Sequence, residues 1–305
     1  MKILVTGGAG FIGRHLVKYL LEKEYSVTIF DSFFNSDKNS ISHLIESGAK
    51  VVEGDITKPL EIFDATKEHD VVIHLAAKIS VIESIKNPSE TFRVNVEGTK
   101  NVLNACKKND IKKVIAASSA AVYGEGEKNV KLTEKSETNP ISPYGESKLD
   151  MENEIIKFTS KQNLNGTILR FFNIYGIGQT PEYAGVITKF IEKISQEKSL
   201  EIFGDGLQTR DFIAIQDVIN AIHNAILSNK NGIYNIASGE STTINELAEM
   251  MILLSEKELE KEFSSSKKGE IRYSQADISM AKKELEYSPK IKLENGIKNL
   301  MENRR

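Results

Sequence analysis

Short runs of β-branched and other apolar residues alternate along this chain with stretches in which apolar residues recur every three or four positions. The short runs predict buried strands, and the longer stretches predict amphipathic helices. Regular alternation of the two indicates βαβ units, so we expect an α/β fold built on a doubly wound parallel sheet. The predicted strands are Lys2–Thr6, Val27–Asp31, Lys50–Asp55, Val71–Leu75 and Lys113–Ser118, each buried on both faces, and then Thr167–Phe172 and Ile233–Ala237.

Helices are predicted between these strands, with the clearest periodicity in Phe11–Glu22 and Asn95–Lys107. Asp217 precedes a further apolar-periodic stretch and is predicted to be its N-cap. The pattern is less regular towards the C-terminus. There Glu256–Glu270 consists mostly of Lys, Glu and Ser, which predicts an exposed loop or ragged helix at the edge of a second, smaller domain.

Composition narrows the class of protein. Of the 305 residues, 40% are hydrophobic and 27% are charged, close to the average for soluble domains. The 40 Lys and Arg against 43 Asp and Glu give a net charge of −3, without the basic excess typical of nucleic-acid binding. Apolar runs stop short of the ~20 residues that span a bilayer. We therefore expect a cytoplasmic protein that binds neither nucleic acid nor membranes.

The cysteine and histidine content adds little chemistry. The single cysteine, Cys106, lies in an apolar helical pattern, where a buried side chain is expected rather than a nucleophile. The histidines have no metal-ligand spacing, so the sequence predicts no metal site. His74, at the end of a predicted strand, is expected to be packed and hydrogen-bonded rather than to act as a base.

A glycine-rich loop follows the first predicted strand and opens the first predicted helix. It reads Thr6-Gly7-Gly8-Ala9-Gly10-Phe11-Ile12-Gly13. Such glycines permit a tight turn, let backbone N–H groups approach a pyrophosphate and place a helix N-terminus against its charge. Asp31 ends the second strand, where a carboxylate accepts hydrogen bonds from a ribose diol. The sequence therefore predicts a Rossmann-type dinucleotide site, and Asp31 favours NAD because it would repel the 2′-phosphate of NADP.

Tyr144 and Lys148 form a Tyr-x-x-x-Lys pair on a predicted helix. Ser142 and Pro143 suit the N-cap and first position of that helix, which places Tyr144 in its first turn and Lys148 one turn further on the same face. A nearby ammonium, a helix N-terminus and an oxidised nicotinamide each lower the pKa of a tyrosine. Ser119 ends a strand at the carboxyl edge of the sheet, where ligands bind in such folds. These three residues are the catalytic candidates.

On these residues the chain resembles an extended short-chain dehydrogenase/reductase of the NAD-dependent epimerase/dehydratase family, most closely the UDP-glucose 4-epimerase group. The match runs the whole length of the chain. The further motifs that carry it are Asn35-Ser36, Asp55-Ile56, Val72-Ile73-His74-Leu75-Ala76-Ala77, Arg170-Phe171-Phe172-Asn173-Ile174-Tyr175-Gly176, Ile202-Phe203-Gly204-Asp205-Gly206-Leu207-Gln208-Thr209-Arg210-Asp211-Phe212 and Tyr234-Asn235-Ile236-Ala237-Ser238-Gly239.

The resemblance implies a UDP-hexose 4-epimerase that keeps NAD bound and works through a transient 4-keto sugar. It implies that Tyr144 is the base on the sugar 4-hydroxyl while C4 gives its hydride to NAD, that Ser119 holds that oxygen, and that Lys148 binds the nicotinamide ribose. The implied cofactor-binding residues are Gly7, Gly10, Phe11, Ile12, Gly13, Asp31, Ser32, Asn35, Ser36, Asp55, Ile56, Leu75, Ala76, Ala77, Asn95, Tyr144 and Lys148. The implied substrate-binding residues are Ser80, Ser119, Tyr144, Asn173, Arg210, Lys267 and Ser274.

Substrate specificity is expected to depend on the C-terminal part of the chain. Asn173 and Arg210 match family positions that bind the UDP phosphates or uridine, and Lys267 replaces an arginine that grips the diphosphate. Ser274 matches a position beside the hexose C2, where a tyrosine in some epimerases excludes N-acetyl sugars. Serine there predicts that UDP-GlcNAc and UDP-GalNAc are accepted with UDP-glucose and UDP-galactose. The alternative is that the loop is shifted by one residue and Tyr273 fills the space.

Two other functions remain open. The first is a nucleotide-sugar 4,6-dehydratase or decarboxylase, which in this family carries an Asp-Glu or Ser-Glu pair where this chain has Ala120-Ala121. Alanines move no proton, which disfavours both. The second is a non-catalytic NAD-binding regulator, which should have lost part of the set formed by Ser119, Tyr144 and Lys148.

The resemblance also implies the organisation of the molecule. Residues 1–173 are expected to form the NAD-binding domain and residues 174–305 the nucleotide-sugar domain, with 210–238 returning to the first. The family dimerises through two long helices of each cofactor domain. Asn95–Lys107 and Ser147–Thr159 are the corresponding stretches here, so a homodimer is expected.

Overall fold

The computed structural model describes residues 1–161, 164–179, 185–266 and 271–303. Its strands are β1 (Lys2–Thr6), β2 (Ser26–Asp31), β3 (Lys50–Glu53), β4 (Val71–His74), β5 (Lys113–Ser119), β6 (Asn165–Phe171), β7 (Asn173–Tyr175), β8 (Leu200–Phe203), β9 (Thr209–Arg210), β10 (Phe212–Ala214), β11 (Gly232–Ile236), β12 (Thr242–Thr243) and β13 (Lys261–Ser264). Its α-helices are α1 (Phe11–Glu22), α2 (Ser42–Glu46), α3 (Pro59–Thr66), α4 (Val81–Lys86), α5 (Pro88–Phe92), α6 (Gly98–Lys108), α7 (Pro143–Thr159), α8 (Val186–Ser195), α9 (Ile215–Leu227), α10 (Ile244–Ser255), α11 (Ser279–Leu285) and α12 (Leu293–Glu302).

A parallel sheet forms the centre of the fold. Within the described residues it has seven strands, in the order β3-β2-β1-β4-β5-β6-β11. The first six follow the 3-2-1-4-5-6 order of doubly wound dinucleotide-binding folds. Along β1, Ile3 and Val5 belong to one buried cluster and Leu4 belongs to another on the opposite face. Helices cover both faces, which confirms the predicted α/β fold with a Rossmann-type sheet.

The observed elements differ from the predicted ones at the edge of the sheet and in one helix. Strand β3 pairs with β2 at the sheet edge, and Lys50, Val52 and Glu53 are exposed. The prediction that this strand is buried on both faces was therefore wrong, because an edge strand has fewer neighbours to cover it. The helix predicted over Asn95–Lys107 begins instead with one π-helical turn, Arg93–Glu97, which continues into α6.

A smaller unit follows in the C-terminal part of the chain. Strands β8 and β13 pair in parallel, and α8, α10 and α12 contribute to a third buried cluster. The predicted loop or ragged helix over Glu256–Glu270 was wrong for Lys261–Ser264, because β8 supplies hydrogen-bond partners that the local sequence does not reveal. Residues 267–270 lie outside the described residues.

Asp217 and Cys106 occupy buried positions in two of the helices. Asp217 lies inside the first turn of α9 rather than at its N-cap, which is Ala214, so that prediction was wrong. Its buried carboxylate instead accepts hydrogen bonds from the backbone N–H groups of Lys290 and Ile291, each at 3.0 Å. Cys106 in α6 is fully buried, as predicted, and burial raises the pKa of its thiol. No helix in the described part of the chain is long and apolar enough to cross a membrane.

Candidate active site

The glycine loop between β1 and α1 has no room for larger residues. Gly7 has a φ of +70°, and a Cβ there would lie 2.7 Å from the backbone nitrogen of Ala76. A Cβ on Gly13 would lie 2.4 Å from the carbonyl oxygen of Gly7. The N-cap of α1 is Gly10, which has no side chain to satisfy the first helical N–H groups, and the first turn contains no acidic residue. The loop therefore presents backbone donors and a helix N-terminus suited to an anion.

Asp31 organises the segment beside this loop. Its carboxylate accepts hydrogen bonds from the backbone N–H of Ala9 at 3.0 Å, from the N–H of Phe33 at 2.9 Å and from the Ser36 hydroxyl at 3.2 Å. The side chain is half-buried, at the carboxyl end of β2. Ser32 and Asn35 in the same segment are exposed. Asp31 thus ties the end of β2 to the glycine loop.

The remaining predicted cofactor residues lie at the same edge of the sheet or just behind it. Leu75, Ala76 and Ala77 follow β4, while Asp55 and Ile56 follow β3. Ile56 is buried against the helix that starts at Gly98, where a Cβ would lie 2.6 Å from its side chain. The structure therefore gathers these residues around the ends of β1, β2, β3 and β4.

Asn95 lies in the π-helical turn, and both the oxygen and the nitrogen of its side-chain amide are hydrogen-bonded. Its amide oxygen accepts the backbone N–H of Lys78 at 2.7 Å, and its amide nitrogen donates to the Lys78 carbonyl at 3.0 Å and to the Ser147 hydroxyl at 2.9 Å. The residue is 1% exposed. It fixes the segment after β4 against α7, and its predicted role in cofactor binding stays a prediction. π-helical turns are frequent at functional sites.

The three catalytic candidates meet at the carboxyl end of β5. Ser119 ends β5, its hydroxyl accepts the backbone N–H of Ala121 at 3.2 Å, and it hydrogen-bonds the Tyr144 hydroxyl. Lys148 is one turn further along α7 and is 3% exposed; its ammonium donates to the Ala117 carbonyl at 2.8 Å. The helix starts as predicted, with Ser142 as N-cap and Pro143 as its first residue.

Burial sets the pKa values in this cluster. Burial raises the pKa of Tyr144, and the hydrogen bond with Ser119 opposes that rise. Burial lowers the pKa of Lys148 to about 8, while the nearby carboxylate of Glu152 raises it. The tyrosine is therefore neutral at pH 7 and the lysine is mostly protonated. A further positive charge beside the phenol would lower its pKa.

The predicted substrate residues lie on several segments around this edge. Ser80 is the N-cap of α4, and its hydroxyl accepts the Glu83 N–H at 3.1 Å. Asn173 begins β7, and Arg210 ends β9 and donates to the Thr209 carbonyl at 2.8 Å. Ser274 is 7% exposed and its N–H donates to the Thr209 hydroxyl at 3.3 Å, so it lies beside the strand that carries Arg210. Lys267 lies outside the described residues.

The sequence analysis missed a buried carboxylate next to Arg210. Asp211 is fully buried and accepts hydrogen bonds from the backbone N–H and hydroxyl of Ser238, from the N–H of Gly239 and from the N–H of Ala276. Burial raises its pKa to about 6, against the effect of those donors. This carboxylate holds the segments that contain Arg210 and Ser274 together. Its position inside a recognised motif was a signal, but its partners are distant in the sequence.

A cation also lies near the glycine loop without having been predicted. The Lys78 ammonium is 3.4 Å from the centroid of the Phe34 ring. Lys78 follows β4 and Phe34 follows β2, and β1 lies between these two strands in the sheet. The contact therefore spans the end of β1, where the glycine loop begins. No sequence pattern pairs these two residues.

A buried ion pair lies behind the catalytic cluster. Glu152, two turns after Tyr144, accepts hydrogen bonds from Arg170 Nε at 2.9 Å, from Arg170 Nη2 at 2.6 Å and from the Ser118 hydroxyl at 2.5 Å.

His74 is buried between the hydroxyls of Thr6 and Thr99, and burial lowers its pKa to about 3. It is a packed neutral histidine, as predicted.

Known proteins resemble the chain over its full length. A protein of Methanocaldococcus jannaschii, described provisionally as a UDP-glucose 4-epimerase, is 41% identical over 302 residues, which cover 98% of this chain and 97% of that protein. The UDP-N-acetyl-alpha-D-glucosaminuronate decarboxylase of Bacillus cytotoxicus is 32% identical to this chain. The aligned region covers 99% of this chain and 97% of that protein. The chain is thus similar to relatives that are described as catalysing different reactions on UDP-sugars.

Solved structures are also similar to this chain over its full length. The UDP-glucose 4-epimerase of Thermotoga maritima, solved with UDP-glucose, has a TM-score of 0.95 and 34% identity, covering 100% of this chain and 99% of that one. The UDP-N-acetylglucosamine 4-epimerase of Methanobrevibacter ruminantium, solved with UDP-N-acetylmuramic acid, has a TM-score of 0.92 and 34% identity. The alignment covers 99% of this chain and 97% of that one. The profile of the NAD dependent epimerase/dehydratase family matches residues 3–237. The chain belongs to the NAD-dependent epimerase/dehydratase family.

Proposed function

We propose that this protein is a UDP-sugar 4-epimerase that retains NAD as its cofactor. The observation that carries the proposal is the cluster formed by Ser119, Tyr144 and Lys148 at the carboxyl edge of the sheet, the edge at which the glycine loop also lies. An NAD-binding loop alone would fit many reactions. The tyrosine beside a serine hydroxyl adds a group that can move a proton at a sugar oxygen.

The described residues fit NAD. The Gly7 position leaves no space for a Cβ beside Ala76, and the uncapped start of α1 offers backbone N–H groups to a diphosphate. The Asp31 carboxylate suits a ribose diol, and its charge disfavours a 2′-phosphate. When bound, NAD supplies a reversible hydride acceptor for the sugar C4.

The protein's own residues then handle the proton and the position of the sugar. Tyr144, once ionised to the phenolate, takes the proton from the sugar 4-hydroxyl and later returns it, and Ser119 holds that oxygen by a hydrogen bond. Lys148, held at the Ala117 carbonyl, keeps a positive charge near the phenol. Asn173 and Arg210 bind the UDP portion, so binding energy comes from the part of the substrate that does not react.

The related decarboxylases and dehydratases define the main alternative. Those reactions need an additional acid or base beside the tyrosine. In this chain the residues after Ser119 are Ala120 and Ala121, in a 3₁₀ turn that ends at Val122. These alanines have no titratable proton, which supports epimerisation. A non-catalytic regulator is disfavoured because Ser119, Tyr144 and Lys148 are all present.

We further propose that the substrates are UDP-glucose and UDP-galactose and also their N-acetyl forms. The support is the small side chain of Ser274, which lies beside the strand that carries Arg210. A further support is the neighbour described as a UDP-N-acetylglucosamine 4-epimerase, which was solved in complex with UDP-N-acetylmuramic acid.

We also propose that the protein is a homodimer in the cytoplasm. An open surface groove of about 540 Å³ lies between the π-helical turn with α6 on one side and α7 on the other. Its lining combines Phe92 and Val96 with the charged residues Arg93, Glu97, Lys100, Asp150 and Glu154. The helices predicted to dimerise border this groove. Sedimentation at micromolar concentration tests the proposal, and a monomer would reject it.

The function is tested by incubating the protein with each of the four UDP-sugars. We expect interconversion at C4 without release of water or carbon dioxide and without accumulation of NADH. Tyr144→Phe should reduce turnover by orders of magnitude with little effect on NAD binding. Tyr19→Phe is the matched control, because Tyr19 and Lys23 have the same spacing but Tyr19 packs against His223. NADH accumulation in step with sugar consumption would reject the epimerase proposal.

A further inference from the structure

We propose that Ser84 is a positioning residue for Tyr144: its hydroxyl fixes the backbone of the proposed base from a separate helix. The backbone N–H of Tyr144 donates to Ser84 Oγ at 3.1 Å across 60 residues of sequence. The inference rests on the proposed role of Tyr144. It concerns how that residue is held rather than what it does.

The start of α7 explains why the Tyr144 N–H needs this partner. The first three residues of a helix have no intrahelical acceptor for their N–H groups. Pro143, the first, has no N–H, and the N–H of Gly145, the third, donates to the Ser142 hydroxyl at 3.1 Å. The helical ladder begins with Glu146, which donates to the Ser142 carbonyl at 2.9 Å. Tyr144 is the second residue, and Ser84 accepts its N–H.

Ser84 is suited to this role by its own contacts. The residue is fully buried, and its hydroxyl donates to the Val81 carbonyl at 2.7 Å. Its proton is therefore committed to Val81, so a lone pair of Oγ faces the Tyr144 N–H. Because the site is buried, removing the hydroxyl would leave the Tyr144 N–H without its acceptor, which is more costly than losing an exposed hydrogen bond.

Helix α4 provides an independent indication that Ser84 has a specific role. Ser84 is the buried residue of this short helix, whereas Ile82 and Ile85 are 68% and 62% exposed. A helix normally buries its apolar side chains and exposes its serines. In α4 the serine is buried and the two isoleucines are exposed. The buried residue of α4 is therefore the one that accepts the hydrogen bond from the Tyr144 N–H.

The backbone carbonyl of Tyr144 is held by hydrogen bonding as well. The Ser147 hydroxyl donates to the Tyr144 carbonyl at 2.7 Å, and the same hydroxyl accepts from Asn95 at 2.9 Å. The backbone of Tyr144 is thus fixed at its N–H by α4 and at its carbonyl by α7 and the π-helical turn. The phenol of this held residue hydrogen-bonds Ser119. Displacement of a reacting group by about 1 Å can reduce a rate about 100-fold.

The test compares Ser84→Ala with Ser84→Thr, which keeps the hydroxyl. We expect Ser84→Ala to lower kcat for UDP-sugar epimerisation about tenfold or more, with KM and bound NAD unchanged, since a misplaced base affects the chemical step. Ser84→Thr should recover most of the rate. Ser89→Ala is the control, because Ser89 is exposed and its hydroxyl bonds Asn87; its kcat should equal that of the wild type.

Amide hydrogen exchange of residues 144–146 provides a second readout that does not depend on catalysis. Exchange at this segment should be faster in Ser84→Ala and should be normal in Ser84→Thr. A wild-type kcat together with unchanged exchange in Ser84→Ala would overturn the inference. So would a loss of kcat that follows global unfolding and is not recovered by threonine. If the wild type epimerises no UDP-sugar, the proposed function fails, and the exchange result alone decides the role of Ser84.

Discussion

Removing the charge of Glu152 should destabilise the protein strongly, because its partner would remain buried. Arg170 and Glu152 are 3% and 1% exposed, and the pair is closed by hydrogen bonds of 2.9 and 2.6 Å. Removing one member of a buried pair leaves an uncompensated charge, at a cost of about 3–5 kcal/mol. We therefore expect Glu152→Gln to lower the free energy of unfolding by about that amount. For a chain of 305 residues, each kcal/mol lowers Tm by about 1.5 °C.

The assay is urea denaturation of the holoprotein, followed by circular dichroism. Glu154→Gln is the matched control on the same helix, since Glu154 is partly exposed and lies 3.8 Å from Lys100; an exposed pair contributes roughly 0–1 kcal/mol. A double variant, Glu152→Leu with Arg170→Met, should recover much of the loss, because both charges are then removed. If Glu152→Gln costs no more than Glu154→Gln, the reasoning about the buried pair is refuted.

Three further predictions concern the cofactor and the sugar. Gly7→Ala should abolish NAD binding, because its Cβ would lie 2.7 Å from Ala76, whereas Gly185→Ala, with no neighbour within 4 Å, should bind NAD normally by calorimetry. Lys78→Met should weaken NAD several-fold in the same assay, since it removes a cation beside the glycine loop; equal affinity would exclude that role. Ser274→Tyr should remove activity on N-acetyl sugars but spare UDP-galactose, and an unchanged ratio of activities would show that Ser274 does not line the sugar site.

The sequence was sufficient for the sheet and for the features defined by local chemistry. Strand β1, the glycine loop and α1 are adjacent in the chain, so their pattern contains all the information needed to place them. The start of α7 was predictable for the same reason, because Ser142 and Pro143 act on residues within one turn. The buried strands could be identified because both of their faces are apolar.

The features that were missed depend on contacts between distant parts of the chain. Strand β13 pairs with β8 about 60 residues earlier, and its charged sequence gives no sign of that partner. Asp217 looked like an N-cap, yet its carboxylate bonds backbone groups more than 70 residues away. Ser84 was overlooked for a related reason. The sequence shows that the Tyr144 N–H lacks an acceptor in its own helix, but it does not show which residue provides one.

The pKa values of Tyr144 and Lys148 lead to a final prediction about how the base is activated. In the protein alone, burial raises the pKa of Tyr144 above its usual value of about 10. Burial also lowers the pKa of Lys148 to about 8. As the pH rises, Lys148 therefore loses its charge before Tyr144 ionises, so this lysine alone does not make the phenol a base near neutrality.

A positive charge delivered by oxidised NAD should supply what is missing, since it stabilises the phenolate. We expect the ionisation of Tyr144 to move to lower pH when NAD is added. The measurement is the ultraviolet absorbance of tyrosinate in the wild type minus that in Tyr144→Phe, recorded against pH with and without NAD. The subtraction isolates Tyr144 from the other tyrosines. Identical difference curves would mean that NAD does not activate this residue, and the pKa of the base would then have to be lowered by the substrate itself.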